Sequence, residues 1–178
     1  MLVLIGASAS GKTEIAKRLI AHHNFKKTVT YTTRPKRSGE VDGVDYHFLG
    51  RDEFITKMKI GFFLETSEYS GNLYGTAFKD ASLDKVLIVD IRGANALYEA
   101  LKDDVMIFFI ETPVAIRRER MQARGDFKED IEQRLTIDQA YFKVEALVHV
   151  DKIIVNERHD LKALTQSVYD AYVKTMHV

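Results

Sequence analysis

The sequence contains no cysteine, which excludes a disulfide scaffold, a thiolate metal site and a cysteine nucleophile. It has only two prolines, and its composition of 46% hydrophobic and 29% charged residues is not that of a disordered or fibrous chain. Neither sign of charge is in excess, because Lys plus Arg and Asp plus Glu each count 26. This balance argues against a general nucleic-acid or membrane-surface binder, although a local basic pocket remains possible.

A long hydrophobic run is also missing at the N-terminus. The apolar segment from Met1 to Ile5 is too short for a signal peptide or a membrane span. We therefore expect a soluble, cytoplasmic protein that binds neither nucleic acid nor a membrane and is a monomer or homodimer. Its 178 residues fit one domain, or one domain carrying a small inserted lobe.

Short apolar runs, each followed by a turn and a stretch of helical periodicity, predict buried parallel strands. These runs are Leu2 to Ile5, Val86 to Val89, Val105 to Ile110 and Lys152 to Val155. Their alternation with helices indicates an α/β fold.

Between Thr30 and about Phe78 the rhythm changes, because glycines interrupt it and tyrosines concentrate there. This segment is predicted to be an inserted lobe. Within it, Phe62 to Glu65 and Leu73 to Thr76 are candidates for a hairpin-like pair of strands.

A glycine-rich motif directly follows the first predicted strand and directly precedes an amphipathic helix. It matches G-x-x-x-x-G-K-[ST] and consists of Gly6, Ala7, Ser8, Ala9, Ser10, Gly11, Lys12 and Thr13. The glycines let the backbone curl so that its N–H groups point at phosphate oxygens, and the helix offers its positive end to the same anion. Lys12 is expected to reach the β- and γ-phosphates of ATP, and Thr13 to place its hydroxyl on Mg²⁺.

Two further features bear on the molecule that accepts the phosphate. Arg34 and Arg37 flank a proline and can present two guanidiniums to one anion, to which tyrosine hydroxyls can add neutral donors. Asp90 closes the second predicted strand and is suited to bind Mg²⁺ through water or to contact an acceptor nucleotide. An ordinary turn-initiating Asp is the alternative.

In these segments the sequence resembles guanylate kinase. The stretch TTRPKRSGEVDGVDYHF resembles the segment that binds the GMP phosphate in that family, and FLETSEYSGNLYGT resembles its guanine-reading segment. The resemblance implies that the GMP phosphate is held by Arg34, Arg37, Tyr46 and Tyr74. It also implies that Glu65 accepts hydrogen bonds from guanine N1–H and the exocyclic amine, that Thr76 and Thr30 contact the base, and that Asp90 contacts GMP.

A carboxylate at Glu65 would suit guanine and would face an acceptor on adenine. Discrimination would follow from the unpaired charge that the wrong base leaves. The plainer alternatives are a solvated turn for the two arginines, a surface strand for Glu65, and packing of the lobe for Tyr46 and Tyr74.

Arginines concentrate between Pro113 and about Leu135, around Gly125. In the resembling family this segment is a lid that closes on the triphosphate, and Arg120, Arg124 and Arg134 match its arginines, which neutralise the transferring phosphoryl group and exclude water. A solvated, ion-paired helix is the alternative, and we favour it for Arg117 and Arg118.

Asn156 follows the last predicted strand and matches a segment near the adenine in that family, where it could hydrogen-bond the base; capping of the next turn is equally compatible. The resemblance thus predicts a three-layer α/β/α P-loop NTPase fold. Its core would span about 1–30, 79–112 and 136–178, with a nucleoside monophosphate lobe at about 31–78 and a lid at about 113–135.

The resemblance has one important departure. The family has a second acidic residue two positions after the aspartate that matches Asp90, but here the segment is shortened and Arg92 stands in that place. Ala7 also replaces a common proline, which leaves the N–H donors of the loop intact. The prediction is phosphoryl transfer from ATP to GMP with Mg²⁺. The rivals are a related kinase with another acceptor and a non-catalytic interaction module.

Overall fold

The computed structural model describes residues 1–80, 82, 84–157 and 160–176. Within them the strands are β1 Leu2–Ile5, β2 Lys26–Lys27, β3 Tyr31–Thr32, β4 His47–Phe48, β5 Phe63–Tyr69, β6 Asn72–Ala77, β7 Lys85–Ile88, β8 Met106–Glu111 and β9 Lys152–Val155. The α-helices are α1 Lys12–His22, α2 Arg51–Lys59, α3 Ile91–Leu101, α4 Val114–Ala123, α5 Lys128–Tyr141 and α6 Leu161–Met176.

The main sheet is parallel, with strand order β2-β7-β1-β8-β9. Side chains of β1 alternate between its two faces, as the twofold period of a strand requires. Leu2 and Leu4 pack in one cluster with residues of α1 and α6, whereas Val3 and Ile5 pack in a second cluster with residues of α3. Helices therefore cover both faces of the sheet, and the predicted three-layer α/β/α fold is confirmed.

The four predicted strands are present, each within one residue of its predicted bounds. A fifth strand of the main sheet, β2, was not predicted. It consists of the exposed residues Lys26 and Lys27, which pair with β7 through their backbone. Because backbone pairing at a sheet edge requires no apolar side chain, hydrophobic patterning does not reveal this strand.

A second, four-stranded sheet lies between β2 and β7 in the chain, with the order β4-β3-β6-β5. The predicted hairpin is its antiparallel pair β5 and β6, which extends further than expected on both sides of the turn. Phe54 of α2 stacks on Phe63 of β5, with 4.5 Å between the ring centroids. Gly75 leaves room for these rings, because a Cβ there would lie 2.9 Å from Phe63 and 3.1 Å from Phe54.

Helices α4 and α5 are separated at Gly125, which has a positive φ of 84°. They share a small apolar cluster of Met121, Ile131 and Leu135 that packs against Ala9 of the glycine-rich loop. Helix α5 continues to Tyr141, past the predicted end of the lid, and the division into core, lobe and lid stays a prediction. None of the helices in the described ranges combines the length and apolar character needed to cross a membrane.

We expect Phe108→Ala to lower the free energy of unfolding by about 3 to 5 kcal/mol, because it opens a cavity in the central sheet. Phe108 is fully buried. The matched control is Ile153→Ala on the neighbouring strand, where the side chain is 44% exposed and the loss should stay below about 1 kcal/mol. Urea denaturation measures both, and equal losses would contradict the assignment of the core.

Candidate active site

The glycine-rich loop between β1 and α1 needs both of its glycines. Gly6 has a φ of 148°, and a Cβ there would lie 2.4 Å from the carbonyl oxygen of Ile110. Gly11 has a φ of 98°, and a Cβ there would lie 2.7 Å from Nδ2 of Asn156. Since such contacts are shorter than real Cβ atoms tolerate, a side chain at position 6 would push the loop away from β8, and one at position 11 would displace the amide of Asn156.

Side chains outside the loop hold its carbonyl groups. Thr112 Oγ1 and Asn156 Nδ2 donate to the carbonyl oxygen of Ser10, at 3.1 and 2.7 Å. Arg120 Nη1 donates to the carbonyl oxygen of Ala9 at 3.1 Å. A trans peptide carries its N–H opposite its carbonyl, so a Ser10 carbonyl held from outside directs the Gly11 N–H toward the other side. This arrangement suits a loop that presents N–H groups to an anion.

Asn156 is buried at 3% exposure, and both polar atoms of its side chain have partners. Its Oδ1 accepts from Arg120 Nη2 at 3.3 Å, while its Nδ2 holds Ser10. The structure therefore places Asn156 behind the loop as a brace, and the contact with adenine stays a prediction. A cavity of about 320 Å³ adjoins it, lined by Val155, Asn156, Glu157, Asp160, Ala163, Leu164 and Ser167.

Lys12 folds back over the loop, where its Nζ donates to the carbonyl oxygens of Gly6 at 2.6 Å and Ala7 at 2.8 Å. Burial lowers the pKa of Lys12 to about 8, and the nearby charge of Asp138 opposes that shift. A phosphate group would replace these carbonyls as a stronger partner for the ammonium.

Thr13 is exposed in the first turn of α1 and offers a hydroxyl oxygen, the type of ligand that Mg²⁺ prefers. Clusters of three or more His, Cys, Asp or Glu side chains suited to a metal do not occur among the described residues. The donor set fits an ion that takes one protein ligand and otherwise binds phosphate and water.

Glu65 lies on β5 opposite Thr76 of β6, and its Oε1 accepts from the Thr76 hydroxyl at 2.6 Å. Its other oxygen, Oε2, is buried and has no hydrogen-bond partner in the described part of the chain. Gly93 allows the close approach of this carboxylate, because a Cβ there would lie 3.1 Å from Oε2. A buried acceptor left without a donor indicates a site for a ligand that supplies one.

Asp90 reaches the same point from the main sheet. Asp90 caps α3, because its Oδ1 accepts a hydrogen bond from the backbone N–H of Gly93 at 2.9 Å. The alternative of a turn-initiating Asp therefore accounts for one of the two carboxylate oxygens. Asp90 Oδ2 is buried and has no hydrogen bond of good geometry in the described part of the chain, although the Tyr141 hydroxyl lies near this carboxylate. Burial raises the pKa of Glu65 to about 7, and the charge of Asp90 adds to the shift.

Tyr141 of α5 lies beside the shortened segment that follows Asp90. Burial and the charge of Asp90 together raise the pKa of Tyr141 to about 12, against the opposing charge of Arg92. A neutral phenol from another helix thus stands close to the place where the resembling family has its second acidic residue, while Arg92 itself is exposed.

Arginines from the lobe and from the segment after β8 converge. Partial loss of hydration lowers the pKa of Arg37, although it is exposed, and the charges of Arg34, Arg134 and Arg124 lower it further. Arg124 and Arg134 share Asp126 as their ion-pair partner. The charge of Arg37 is therefore within electrostatic range of three other guanidiniums, which favours the binding of a polyanion there.

Arg34 itself is held firmly. Its Nη2 donates to Glu40 Oε1 at 2.6 Å, and its guanidinium lies 5.3 Å from the ring centroid of Tyr46. The rings of Tyr46 and Tyr74 meet edge to face, at 6.4 Å between centroids. Thr30 is buried beside this group, and its carbonyl accepts from the backbone N–H of His47. The structure thus brings the predicted acceptor residues of the lobe together.

The expectation of a solvated helix face is wrong for Arg117. This residue is 4% exposed and its Nη1 donates to the buried carboxylate of Asp138 at 3.0 Å. The expectation is confirmed for Arg118, whose side chain is 41% exposed and pairs with Glu132. The difference arises because Arg117 and Met121 lie one turn apart on the buried stripe of α4.

Asp138 was missed by sequence reasoning, as were Thr112 and Tyr69. Asp138 accepts from the backbone N–H of Ser8 at 2.7 Å and from the hydroxyl of Tyr69 at 2.5 Å. One signal was available: Ile131, Leu135 and Asp138 follow the i, i+4, i+7 spacing of one helix face. A charge on an apolar stripe indicates a buried partner of opposite charge.

Comparison with known proteins identifies relatives of this chain. A family model described as guanylate kinase matches residues 1–170. The chain is 36% identical to a guanylate kinase of Psychrobacter arcticus, over 93% of this chain and 82% of the relative. It is 35% identical to one from Streptococcus mutans, over 92% and 81%. A crystal structure of guanylate kinase from Anaplasma phagocytophilum superposes with a TM-score of 0.74 at 27% identity, covering 98% of this chain and 84% of that one.

We expect Glu65→Gln to change how stability depends on pH. The pKa of Glu65 in the folded protein, about 7, lies above the ordinary value of 4.5, so wild type loses stability as pH rises through this window. Relative to the glutamine variant, wild type should lose on the order of 2 to 3 kcal/mol between pH 4.5 and pH 8. Urea unfolding across this range measures the difference, and a difference that stays constant with pH would refute the shifted pKa.

We expect Asn156→Ala to weaken ATP and GTP as phosphate donors equally, by on the order of tenfold in KM, because the lost brace serves the loop and not the base. Steady-state kinetics with the two donors measures this. A loss confined to ATP would instead support the adenine contact.

Proposed function

Because this chain belongs to the guanylate kinase family, we propose that it transfers the γ-phosphoryl group of ATP to GMP, giving ADP and GDP, in purine nucleotide metabolism. The observation that carries the proposal is the buried Glu65 carboxylate, which keeps one oxygen unpartnered among the described residues while Thr76 holds the other. Family membership supplies the reaction, and this carboxylate supplies a reason for the acceptor.

Glu65 would accept hydrogen bonds from N1–H and the exocyclic amine of guanine. The edge of adenine presents an acceptor at the matching position, which would leave the buried carboxylate unpaired. The penalty for such an unpaired buried group is about 1 to 3 kcal/mol or more, enough to reject the wrong base. Thr76 and Thr30 would complete the base site, with Asp90 beside it.

The GMP phosphate would bind between Arg34, Arg37, Tyr46 and Tyr74. Ion pairing of Arg34 with Glu40 fixes the guanidinium before the substrate arrives. This preorganisation reduces the ordering cost of binding. The neighbouring guanidiniums of Arg124 and Arg134 extend the positive charge toward the donor.

The donor triphosphate would occupy the loop from Gly6 to Thr13. A phosphate oxygen of GMP attacks the γ-phosphorus, the bond to the β–γ bridging oxygen breaks, and that oxygen keeps the electron pair on ADP. The attacking oxygen is already anionic, so a general base is not required. Lys12, Arg120, Arg124 and Arg134 would stabilise the charge on the transferring group and keep water away from it.

We further propose that Thr13 holds Mg²⁺ together with the donor phosphates. The ion would neutralise charge on the β- and γ-phosphates when bound. A cytoplasmic location, where both nucleotides occur, and a monomeric or homodimeric state complete the proposal.

A coupled ADP-release assay across GMP, AMP, UMP and CMP tests the proposal. We expect GMP to be used at least a hundredfold better in kcat/KM, which corresponds to about 2.7 kcal/mol. Glu65→Gln should lower kcat/KM for GMP by tenfold or more, since an amide replaces one acceptor oxygen by a donor.

Glu68→Gln is the matched control. It makes the same chemical change on the same strand, at an exposed position. It should leave kcat/KM for GMP within twofold of wild type. A flat response across the four acceptors would refute the substrate, and an equal loss for all acceptors in Glu65→Gln would refute the assignment of base recognition.

A further inference from the structure

Asp138 joins three separate segments through one buried carboxylate. Its Oδ2 accepts from the Ser8 backbone N–H of the glycine-rich loop and from Arg117 Nη1 of α4, at 2.7 and 3.0 Å. Its Oδ1 accepts from the hydroxyl of Tyr69 at the end of β5, at 2.5 Å. The loop, the lobe and the helix that carries Arg120 therefore meet at a single group.

The energetics of the Asp138 carboxylate indicate that it positions its neighbours more than it adds to the free energy of unfolding. The side chains of Asp138 and Arg117 are 0% and 5% exposed, so their desolvation offsets much of their attraction. Two neutral donors, Ser8 and Tyr69, satisfy the remaining capacity of the carboxylate. Burial raises the pKa of Tyr69 and the hydrogen bond to Asp138 raises it further, so the phenol keeps its proton and remains a donor.

The contact of Tyr69 links this group to the acceptor site. Glu65 and Tyr69 lie four positions apart on β5, and side chains with that spacing share one face of a strand. The ring of Tyr69 is held by Tyr141 and Phe142, with centroids 5.3 and 5.7 Å away. A displacement of β5 when Glu65 binds a base would therefore move the Tyr69 hydroxyl, which donates a hydrogen bond to Asp138.

The contact of Ser8 links the same group to the donor site. Ser8 is the third residue of the loop, and its N–H is fixed by the carboxylate instead of being free to turn. The charge of Asp138 also acts on Lys12, whose pKa it raises against the effect of burial. The position of the Asp138 carboxylate thus influences both the backbone and the lysine that are proposed to hold the triphosphate.

We propose that Asp138 is a positioning residue that couples the acceptor lobe to the glycine-rich loop through Tyr69 and Ser8, so that GMP and ATP each strengthen the binding of the other. The inference rests on the proposed function. It adds a route of coupling between the two substrate sites that passes through neither substrate, and the coupling must be reciprocal.

Tyr69→Phe tests this route, because it removes one hydroxyl and keeps the ring between Tyr141 and Phe142. The dissociation constant of a non-hydrolysable ATP analogue is measured by calorimetry with and without saturating GMP. In wild type we expect GMP to tighten the analogue at least fivefold. In Tyr69→Phe the ratio should fall below twofold, with the affinity for the analogue alone unchanged within twofold.

Tyr98→Phe is the matched control, since it removes a hydroxyl from a tyrosine on α3 that stacks on His149. It should keep the coupling of wild type. Unchanged coupling in Tyr69→Phe, or weaker binding of each nucleotide with the coupling intact, would overturn the proposal and leave Tyr69 a structural residue.

Asp138→Asn provides a second measurement. The amide can keep an acceptor for Tyr69 but loses the charge and one acceptor oxygen on the side of Ser8 and Arg117. We expect the affinity for the ATP analogue alone to fall at least fivefold, with the affinity for GMP alone unchanged within twofold. Equal losses for both nucleotides would contradict a positioning role, and should this variant not fold, Tyr69→Phe decides alone.

The proposed function and this inference fail separately. Wild-type protein that phosphorylates GMP but shows no coupling between the two nucleotides would overturn the inference alone. Wild-type protein that phosphorylates none of the four acceptors would refute the proposed function.

Discussion

The rest of the site depends on the hydrogen bonds that side chains outside the glycine-rich loop donate to its carbonyl oxygens. Thr112 and Asn156 donate to the carbonyl oxygen of Ser10, and Arg120 donates to that of Ala9. These donors come from the ends of β8 and β9 and from α4, so the parallel sheet and the helix that follows it define the loop. The N–H groups that are left for an anion are a consequence of packing around the loop as much as of its glycines.

The acceptor side follows a different logic, in which a buried acid is kept incompletely satisfied. Glu65 receives one hydrogen bond from Thr76, and its burial beside Asp90 raises its pKa to about 7. A group in this state costs stability in the empty protein, and a ligand with suitable donors relieves that cost. The same free energy that disfavours the ionised carboxylate in isolation therefore supports selection of a base with adjacent N–H groups.

Several features could be predicted from sequence because they depend on neighbours along the chain. Gly6 and Gly11 predict a tight loop. The apolar runs predict the strands, since a parallel sheet covered on both faces needs continuous hydrophobic segments. The pairing of Arg117 with Asp138 could not be placed in this way. This ion pair joins α4 and α5, which lie on either side of Gly125. Taken alone, each charged residue is expected to face solvent, and only its position on the buried face of its helix indicates otherwise.

By itself the sequence determined the α/β class, the phosphate loop and the residue types that face an acceptor, because these follow from local spacing and side-chain chemistry. Only the tertiary structure decided which polar groups are buried and what they touch. Asn156 became a brace for the loop because β9 ends behind Ser10. Asp138 contacts the loop, the lobe and α4 because a buried carboxylate is stable only when hydrogen-bond donors satisfy it. Its donors come from Ser8, Tyr69 and Arg117, which are distant from it in the sequence.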